Sequence, residues 1–386
     1  MSTTLSKAAL AAALILTVGC KKEQTTPPPA TKTLKVGLVT DVGGRGDHSF
    51  NDSALRGLEL WAGGKNYQSG RYVEAPATEV QASLPADLAA RLPPIAPVGV
   101  TPLILQSKAQ EDYEPNLQLV VDQGAGLTIG VGYMMENAVE AIARRNPEAR
   151  FLLIDSPVMD KGTPVTLPNV RTVVFREEQG SFLVGALAGL VTQTGKVGFV
   201  GGIEVPLIKK FEAGFRAGVA TTRPEAASTL LVNYTGSFDN VAAGKQVTQD
   251  LLSKGVDVVF HAAGSDGLGV IQAVKEARAA GKAVYVIGVD SDQAHLAPEA
   301  VLTSMVKRVD LAVYEAARDL AGDKWTAGDR TLGLAEGGVA YAPVRVPLAN
   351  KEAVLAKVEA LRERIIQGQL QVPQNATELA AFKVAP

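Results

Sequence analysis

Short apolar runs alternate with helical segments along most of this chain, and the alternation runs through two successive series. The first series has predicted strands at residues 36–39, 101–107, 127–133, 151–155 and 170–175 and predicted helices at 53–61, 114–123 and 136–145. The second series has predicted strands at 196–201, 228–233, 256–262 and 284–289 and predicted helices at 179–193, 208–220, 240–254 and 267–280. Short strands separated by helices of about ten residues or more are typical of βαβ units, whose strands form parallel sheets. Two such series predict an α/β protein with two similar lobes.

The stretches outside the two series set the predicted domain organisation. We expect the first lobe over residues 34–176, the second over 177–303, and a return segment over 304–386 that packs mainly on the first lobe. Residues 65–99 contain five prolines and one short helical piece, at 86–92, and are interpreted as an insertion on the outside of the first lobe. Several crossings between two Rossmann-like lobes make a hinged cleft, which is typical of the type I periplasmic-binding-protein fold.

The return segment carries its own pattern. It has a predicted strand at 302–305, a helix at 309–321, strands near 331 and 344, and an amphipathic helix at 349–366.

The amino end is predicted to be a targeting segment. Residues 1–19 combine the positive Lys7 with an eleven-residue apolar run, which is too short for a permanent membrane span. LTVGC resembles a bacterial lipobox, in which the cysteine is acylated, although Thr17 stands where leucine is usual; the alternative is a chance cysteine in an ordinary signal peptide. Residues 20–33 would then be the lipidated Cys20 and a flexible, proline-rich tether. The folded part is expected outside the cytoplasm, anchored to a lipid bilayer.

Charge and cysteine content exclude several classes of function. The formal net charge is -2 and no basic field is present, so nucleic acid is not an expected partner. Cys20 is the only cysteine, which excludes internal disulfides and multi-cysteine metal sites. The three histidines lie far apart in sequence without the spacing of a ligand pair, so no metal site is predicted.

Side chains suited to recognition follow the predicted strands. The first strand ends at Asp41, and a glycine-rich loop then leads to Phe50 and Asn51 at the start of a helix. Ligands of open α/β sheets bind beyond the carboxyl ends of the strands, where Asp290 and Lys307 also fall. A carboxylate, an aromatic ring and an amide make a recognition surface, whereas no catalytic constellation is visible. The alternatives are that Asp41 caps the following loop and that Phe50 packs in the core.

Several collinear motifs resemble the basic membrane protein family, the purine nucleoside receptor A lipoproteins of ABC-type importers. They are KVGLVTDVGGRGDHSFNDSALRGL, EDYEPNLQLVVDQGAGLTIGVGYMMENAVEAIARRNPEARFLLID, VVFREEQGSFLVGALAGL, KVGFVGGIEVPLIKKFEAGFRAGV, VNYTGSFDNVAAGKQVTQDLLSKGVDVVFHAAGSDGLGVIQAVKEA, VIGVDSDQ and LTSMVKRVDLAVYEA. The resemblance covers most of residues 34–345.

The resemblance implies that a nucleoside is held between two aromatic rings, one from each lobe. Phe50 would be the ring of the first lobe, with Asp41 and Asn51 contacting the base, and Phe238 the ring of the second lobe. A competing interpretation for the second ring is open, because Phe211 lies in the same lobe. Stacking on aromatic faces is worth about 1–3 kcal/mol per base in single-strand binding proteins.

The resemblance also assigns the ribose end. Asp290 would accept hydrogen bonds from the ribose hydroxyls, Lys307 would donate to them, and Gly264 would let ligand and backbone approach closely. Asn137 stands where an acidic residue is expected after GYMM; its amide can still form hydrogen bonds and is counted as a ligand contact, with helix capping as the rival role.

The expected function is that of a substrate-binding lipoprotein of an ABC-type importer for a purine nucleoside of the inosine, guanosine and adenosine class. Its expected partners are that ligand, the permease and ATPase subunits, and the bilayer through acylated Cys20, with the protein itself a monomer. No cofactor and no catalysis are expected. The alternatives are an extracytoplasmic sensory receptor of the same fold and a nucleoside-processing enzyme, which would need an acid/base or metal cluster.

Overall fold

Two six-stranded sheets form the centre of the structure. The computed structural model describes residues 34–85, 88 and 95–383. The predicted signal peptide, the lipidated Cys20 and the tether lie outside the described residues, as does all of the helix predicted at 86–92 except Leu88.

The described strands, in chain order, are β1 (Lys35–Thr40), β2 (Lys65–Gln68), β3 (Arg71–Glu74), β4 (Thr101–Gln106), β5 (Leu127–Val131), β6 (Phe151–Ile154), β7 (Met159–Asp160), β8 (Thr163–Pro164), β9 (Val170–Phe175), β10 (Val197–Gly201), β11 (Leu231–Tyr234), β12 (Val258–Ala262), β13 (Tyr285–Asp290), β14 (Val301–Lys307), β15 (Gly328–Leu332) and β16 (Val339–Tyr341).

The described α-helices are α1 (Phe50–Leu55), α2 (Ala77–Ala82), α3 (Tyr113–Asp122), α4 (Glu136–Arg145), α5 (Glu177–Val191), α6 (Pro206–Thr222), α7 (Pro224–Ser228), α8 (Val241–Ser253), α9 (Asp266–Ala279), α10 (Val309–Ala321), α11 (Lys351–Ile366) and α12 (Ala376–Ala381). Helix α1 continues as a π-helix through Arg56–Ala62.

The two sheets have equivalent strand orders. The first sheet is β4-β1-β5-β6-β9-β15 with every pair parallel, and the second is β11-β10-β12-β13-β14-β16 with only the last pair antiparallel. The central strands β5 and β12 are buried along their whole length, as expected when helices cover both faces of a parallel sheet. The predicted two-lobed α/β fold of the periplasmic-binding-protein type is confirmed.

Three short stretches carry the chain between the two sheets. The chain leaves the first sheet between Phe175 and α5, returns to it after Lys307, and leaves it again between β15 and β16. Three adjacent crossings let one lobe rotate against the other, which is the geometry of hinge closure.

The return segment, expected mainly on the first lobe, has contacts with both lobes. Helix α10 packs on α1 and β5, and β15 joins the first sheet, whereas β16 joins the second sheet. Helices α11 and α12 pack on α5 and α6 of the second lobe. The reason is that α5 is apolar on almost every side and needs a further cover, which the apolar stripe of α11 supplies through Val358, Leu361 and Ile365.

Residues 65–85 and 95–99 lie against the first lobe. The β2–β3 hairpin and α2 follow the π-helix, whose Trp61 Nε1 donates a hydrogen bond to Ser83 Oγ at 2.8 Å. The Tyr314 hydroxyl of α10 donates to Ala96 O and accepts from Ala96 N. Among all the residues described, none of the helices is both long and apolar enough to cross a membrane.

Candidate functional site

A cavity lies between the carboxyl ends of the two sheets. The first lobe lines it with Asp41, Gly43, Asp47, Phe50, Asn51, Gly132, Tyr133 and Asp155. The second lobe and its crossing line it with Leu207, Ile208, Phe211, Phe238, Ala262, Ala263, Gly264, Ser265, Val289, Asp290 and Lys307.

Seven of the eight ligand-contact residues predicted from the sequence line this one cavity. They are Asp41, Phe50, Asn51, Phe238, Gly264, Asp290 and Lys307. Asn137 is exposed on the first turn of α4 and is not among the lining residues. The chain makes a 3-10 turn at Tyr133–Met135 before α4, so Tyr133 reaches the cavity and Asn137 does not. The acidic residue that directly follows GYMM is Glu136, whose carboxylate accepts a hydrogen bond from Ser156 Oγ.

Asp47 builds the loop that carries Phe50 and Asn51. Its buried carboxylate accepts hydrogen bonds from the backbone N–H groups of Ser49 at 2.9 Å, Asn51 at 2.7 Å and Asp52 at 3.0 Å. These are donors that the start of a helix leaves without intrahelical partners. Asp47 therefore caps α1 and holds its first two side chains toward the cavity.

Asp41 and Asn51 form one polar wall of the cavity. Asn51 Nδ2 donates to Asp41 Oδ1 at 2.8 Å and to Asp47 Oδ2 at 3.0 Å, and Gly43 N donates to the same Asp41 oxygen at 2.9 Å. Burial raises the pKa of Asp41 to about 7, although the hydrogen bond from Asn51 lowers it in part. This wall therefore holds a carboxyl group that titrates near neutral pH.

The two predicted rings come from opposite lobes. The Lys307 Nζ lies 4.8 Å from the centroid of the Phe50 ring, a cation–π distance. Phe238 meets Tyr133 of the first lobe edge to face, with centroids 6.5 Å apart and planes at 76°. Gly264 has a φ of 55°, and a Cβ there would lie 3.1 Å from Phe238 O, so the position of Phe238 depends on this glycine.

A buried charge cluster surrounds Lys307 at the crossing. Its Nζ donates to Asp155 Oδ2 at 2.5 Å and lies 3.6 Å from Glu177 Oε1. Burial alone would lower the pKa of Lys307, but Asp155, Glu177 and Asp290 outweigh burial and hold the pKa above its usual value. Asp155 Oδ1 is buried and has no hydrogen-bond partner among the described residues.

Asp290 faces the same cluster from the end of β13. Its Oδ2 accepts a hydrogen bond from Ser49 Oγ of the first lobe at 2.6 Å. Burial raises the pKa of Asp290 to about 6, and the nearby charge of Lys307 lowers it in part. The lobes are therefore already joined across the cavity through this pair.

Further hydrogen bonds close the cavity at this edge. Ser291 Oγ donates to Ser49 O at 3.1 Å, and Gln293 Nε2 donates to His48 O at 3.2 Å. The rings of His48 and His295 lie 5.4 Å apart, although they are distant in sequence. No group of three metal-binding side chains occurs in the part of the chain that the structure describes.

Asp47, Tyr133, Asp155 and Glu177 are among the cavity and hinge residues that the sequence-based prediction missed. Asp155 follows the apolar strand β6 as Asp290 ends β13, so the same signal could have found it. Tyr133 and Asp47 lie in turns, and Glu177 begins a helix, where no periodicity marks a side chain that faces a ligand. What the cavity offers is stacking faces, hydrogen-bond acceptors and one buried cation, which suits binding of a flat, hydroxyl-rich ligand.

Comparisons with known proteins give consistent results. A family model described as "ABC transporter substrate-binding protein PnrA-like" matches residues 34–376. The "CD4+ T-cell-stimulating antigen" of Listeria monocytogenes is 34% identical, over 90% of this chain and 90% of that protein. The "ABC transporter nucleoside-binding protein BmpA" of Lactococcus lactis is 30% identical, over 96% of this chain and 98% of that protein. A solved ABC transporter solute-binding protein from Aeropyrum pernix is 27% identical with a TM-score of 0.70, over 90% of this chain and 96% of that one.

Proposed function

The chain belongs to the PnrA-like family of ABC transporter substrate-binding proteins, and on that premise we propose that its cavity binds a purine nucleoside for import. Proteins of this family are extracytoplasmic substrate-binding proteins rather than enzymes, and they work with permease and ATPase subunits. The similar Lactococcus lactis protein carries nucleoside binding in its name. That similarity and the chemistry of the cavity support the proposal.

The observation that carries the proposal is the pair of rings from opposite lobes beside a cluster of acceptors. Phe50 and Phe238 offer apolar faces to a purine, and stacking of this kind is worth about 1–3 kcal/mol per base. Asp41 and Asn51 would contact the edge of the base. Gly264 lines the cavity, and the absence of a side chain there gives Phe238 the room to take its position.

The charged end of the cavity suits the ribose. The hydroxyls of the sugar would donate to Asp290 and to the unpartnered Asp155 Oδ1, and Lys307 would donate to a ribose oxygen. Hydrogen bonds to charged groups contribute roughly 1.5–3 kcal/mol each. The charged side chains that line this end of the cavity are two carboxylates, Asp155 and Asp290, and one lysine, Lys307. A neutral ligand therefore fits better than an anionic one.

Ligand binding would be coupled to closure of the lobes. The proposed partners are divided between the two sheets, so only the closed arrangement satisfies the whole ligand. Lys307 lies directly before the second crossing and contacts Asp155 of the first lobe, which links the ligand end of the cavity to the hinge. A closed, loaded form is what a permease would have to distinguish from the open form.

We also propose the attachment and the assembly state. Acylation of Cys20 would hold the protein to a bilayer through the tether, and the monomer would carry a complete site, because both lobes belong to one chain. Metabolic labelling with a radioactive fatty acid, compared between the wild type and Cys20→Ala, tests the anchor. Label retained by the Cys20→Ala variant would contradict it.

The central experiment is calorimetric titration of the chain, freed of bound ligand by unfolding and refolding. We expect purine nucleosides to bind in the micromolar range or tighter and cytidine and ribose to bind much more weakly. Phe50→Ala and Asp290→Ala should each weaken binding strongly, whereas Asn137→Ala, which changes an exposed side chain outside the cavity, should leave it unchanged. No heat with any nucleoside would contradict the ligand, and loss of binding in Asn137→Ala would contradict the site.

A further inference from the structure

The orientation of the Asn51 amide is set by its neighbours. Both hydrogens of Nδ2 are used, because this atom donates to Asp41 Oδ1 and to Asp47 Oδ2. The reversed amide would place Oδ1 against two carboxylates, which are hydrogen-bond acceptors only. Asn51 Oδ1 is consequently buried without a hydrogen-bond partner among the described residues.

Asp41 offers a second acceptor at the same wall. Its Oδ1 already receives hydrogen bonds from Asn51 Nδ2 and Gly43 N, so the oxygen left for a ligand is Oδ2. A Cβ added to Gly132 would lie 3.2 Å from Asp41 Oδ2 and 3.4 Å from Phe50 Cε1. The free oxygen and the stacking ring therefore border the same space, where the edge of a stacked base would lie.

The two hydroxyls that line this end do not discriminate between donors and acceptors. Tyr133 and Ser265 can each donate or accept a hydrogen bond by rotating the hydroxyl hydrogen. Selection is therefore made by Asn51 Oδ1 and Asp41 Oδ2, which only accept when Asp41 is ionised. A base whose edge presents a lone pair to these two oxygens would leave a buried acceptor without a hydrogen bond, which is unfavourable.

We infer that this wall selects a purine whose edge presents two neighbouring hydrogen-bond donors, so that guanosine is the preferred ligand and Asp41 and Asn51 determine the specificity. This inference rests on the proposed binding of purine nucleosides. Guanine presents N1–H and the 2-amino group side by side. Hypoxanthine lacks the amino group, and adenine presents a lone pair at N1.

The inference makes Asp41→Asn a switch of preference rather than a simple loss. The amide oxygen of the new side chain would take the place of Oδ1 and keep accepting from Asn51 and Gly43. Its NH₂ group would then replace the free Oδ2, so a donor would face the base. Adenine fits that arrangement, because its N1 accepts and its 6-amino group donates to Asn51 Oδ1.

The test is competition calorimetry with the full chain at pH 8, where Asp41 is mostly ionised. The ligands are guanosine; inosine, which lacks the 2-amino group; 1-methylguanosine, which lacks the N1–H; and adenosine. We expect guanosine to bind at least about tenfold more tightly than each of the other three. In Asp41→Asn the ratio of guanosine affinity to adenosine affinity should fall at least about tenfold. Asp239 is exposed and follows Phe238 in the chain, so Asp239→Asn serves as the control and should leave this ratio unchanged.

Each result decides between the two proposals. If all four nucleosides bind the wild type equally well, the inference is overturned and the proposed function stands. An unchanged ratio in a folded Asp41→Asn variant also overturns it. If that variant does not fold, as a thermal scan would reveal, the four wild-type affinities still decide. If the wild type binds none of the four, the proposed function fails, and the inference with it.

Discussion

Asp155 and Asp290 occupy equivalent places in the two sheets, and both act on Lys307. Asp155 directly follows β6 and Asp290 ends β13, which is the strand equivalent to β6 in the second sheet. Both residues have left-handed backbone conformations, with φ of 73° and 63°. Each sheet thus directs one carboxylate into the cavity from the end of its fourth strand. Lys307 lies close enough to both carboxylates for their charges to raise its pKa.

The first prediction concerns the stability supplied by Lys307. Lys307→Met would leave Asp155 and Asp290 buried without their nearby cation, whereas Glu177 would keep Lys210 Nζ at 3.2 Å. Breaking a buried pair costs about 3–5 kcal/mol. We expect the free energy of unfolding, measured by urea titration at pH 7.5, to fall by about that amount. Lys245→Met is the matched control, because Lys245 pairs with Glu276 at the surface and should cost less than about 1 kcal/mol. Equal losses in the two variants would show that the buried cluster is not held by Lys307.

A second prediction follows from the raised pKa of Asp41. Its pKa is about 7 in the folded protein and near 3.8 when exposed, so the ligand-free folded state binds one more proton than the unfolded state between these values. The stability that this group contributes is fully present below about pH 4 and is lost as the pH rises through about 7. Its contribution to the slope approaches about 1.4 kcal/mol per pH unit.

The measurement is the difference in unfolding free energy between the wild type and Asp41→Asn from pH 5 to pH 8. The variant should gain stability relative to the wild type as the pH rises, since its amide never ionises. Asp290, whose pKa is raised to about 6, remains in both proteins and cancels in the difference. A difference that does not vary with pH would contradict the assigned titration.

The third prediction compares alanine substitutions at two glycines, of which one adds only backbone strain and the other also places a Cβ against a neighbouring residue. Gly264 and Gly281 both have positive φ, at 55° and 86°, so alanine strains the backbone at either site. Only at Gly264 would the new Cβ meet a neighbour, namely Phe238 O at 3.1 Å, whereas nothing lies within 4 Å at Gly281. We expect both variants to lose about 1–2 kcal/mol of stability but only Gly264→Ala to weaken nucleoside binding, by about tenfold in calorimetry. Equal affinities would show that Phe238 is not held by Gly264.

Much of the fold and of the cavity could be predicted because strand ends leave a local signal. Asp41, Asp290 and Lys307 each follow an apolar run, and the carboxyl ends of parallel strands meet at one edge of a sheet. The pairing of Lys307 with Asp155 joins residues far apart in the chain, and no local pattern encodes it.

Asn137 shows where local patterns stop being informative. One 3-10 turn between β5 and α4 decides which side chain faces the cavity, and it selects Tyr133. The packing of α11 was equally hidden, because its apolar stripe would fit either lobe. The side of α5 that the other elements of the second lobe leave uncovered is visible only in three dimensions, and it determines which lobe α11 covers.

The fourth prediction tests Asp155 as a ribose acceptor. Asp155 Oδ2 is engaged by Lys307, and its buried Oδ1 has no partner among the described residues, so a ligand hydroxyl that donates to Oδ1 would satisfy it. Asp155→Asn keeps the shape but can replace that acceptor by an NH₂ group. We expect guanosine affinity to fall at least about tenfold, because a hydrogen bond to a charged group contributes about 1.5–3 kcal/mol.

Deoxynucleosides identify the hydroxyl that is involved. In the wild type, 2′-deoxyguanosine or 3′-deoxyguanosine should bind more weakly than guanosine, and the difference should shrink in Asp155→Asn for whichever hydroxyl Oδ1 accepts. Asp323→Asn is the control, since Asp323 is an exposed aspartate that also has a positive φ, of 53°. If the penalty for both deoxynucleosides is the same in Asp155→Asn as in the wild type, Asp155 serves only to hold Lys307. Asp290 would then be the one carboxylate of this equivalent pair that contacts the sugar.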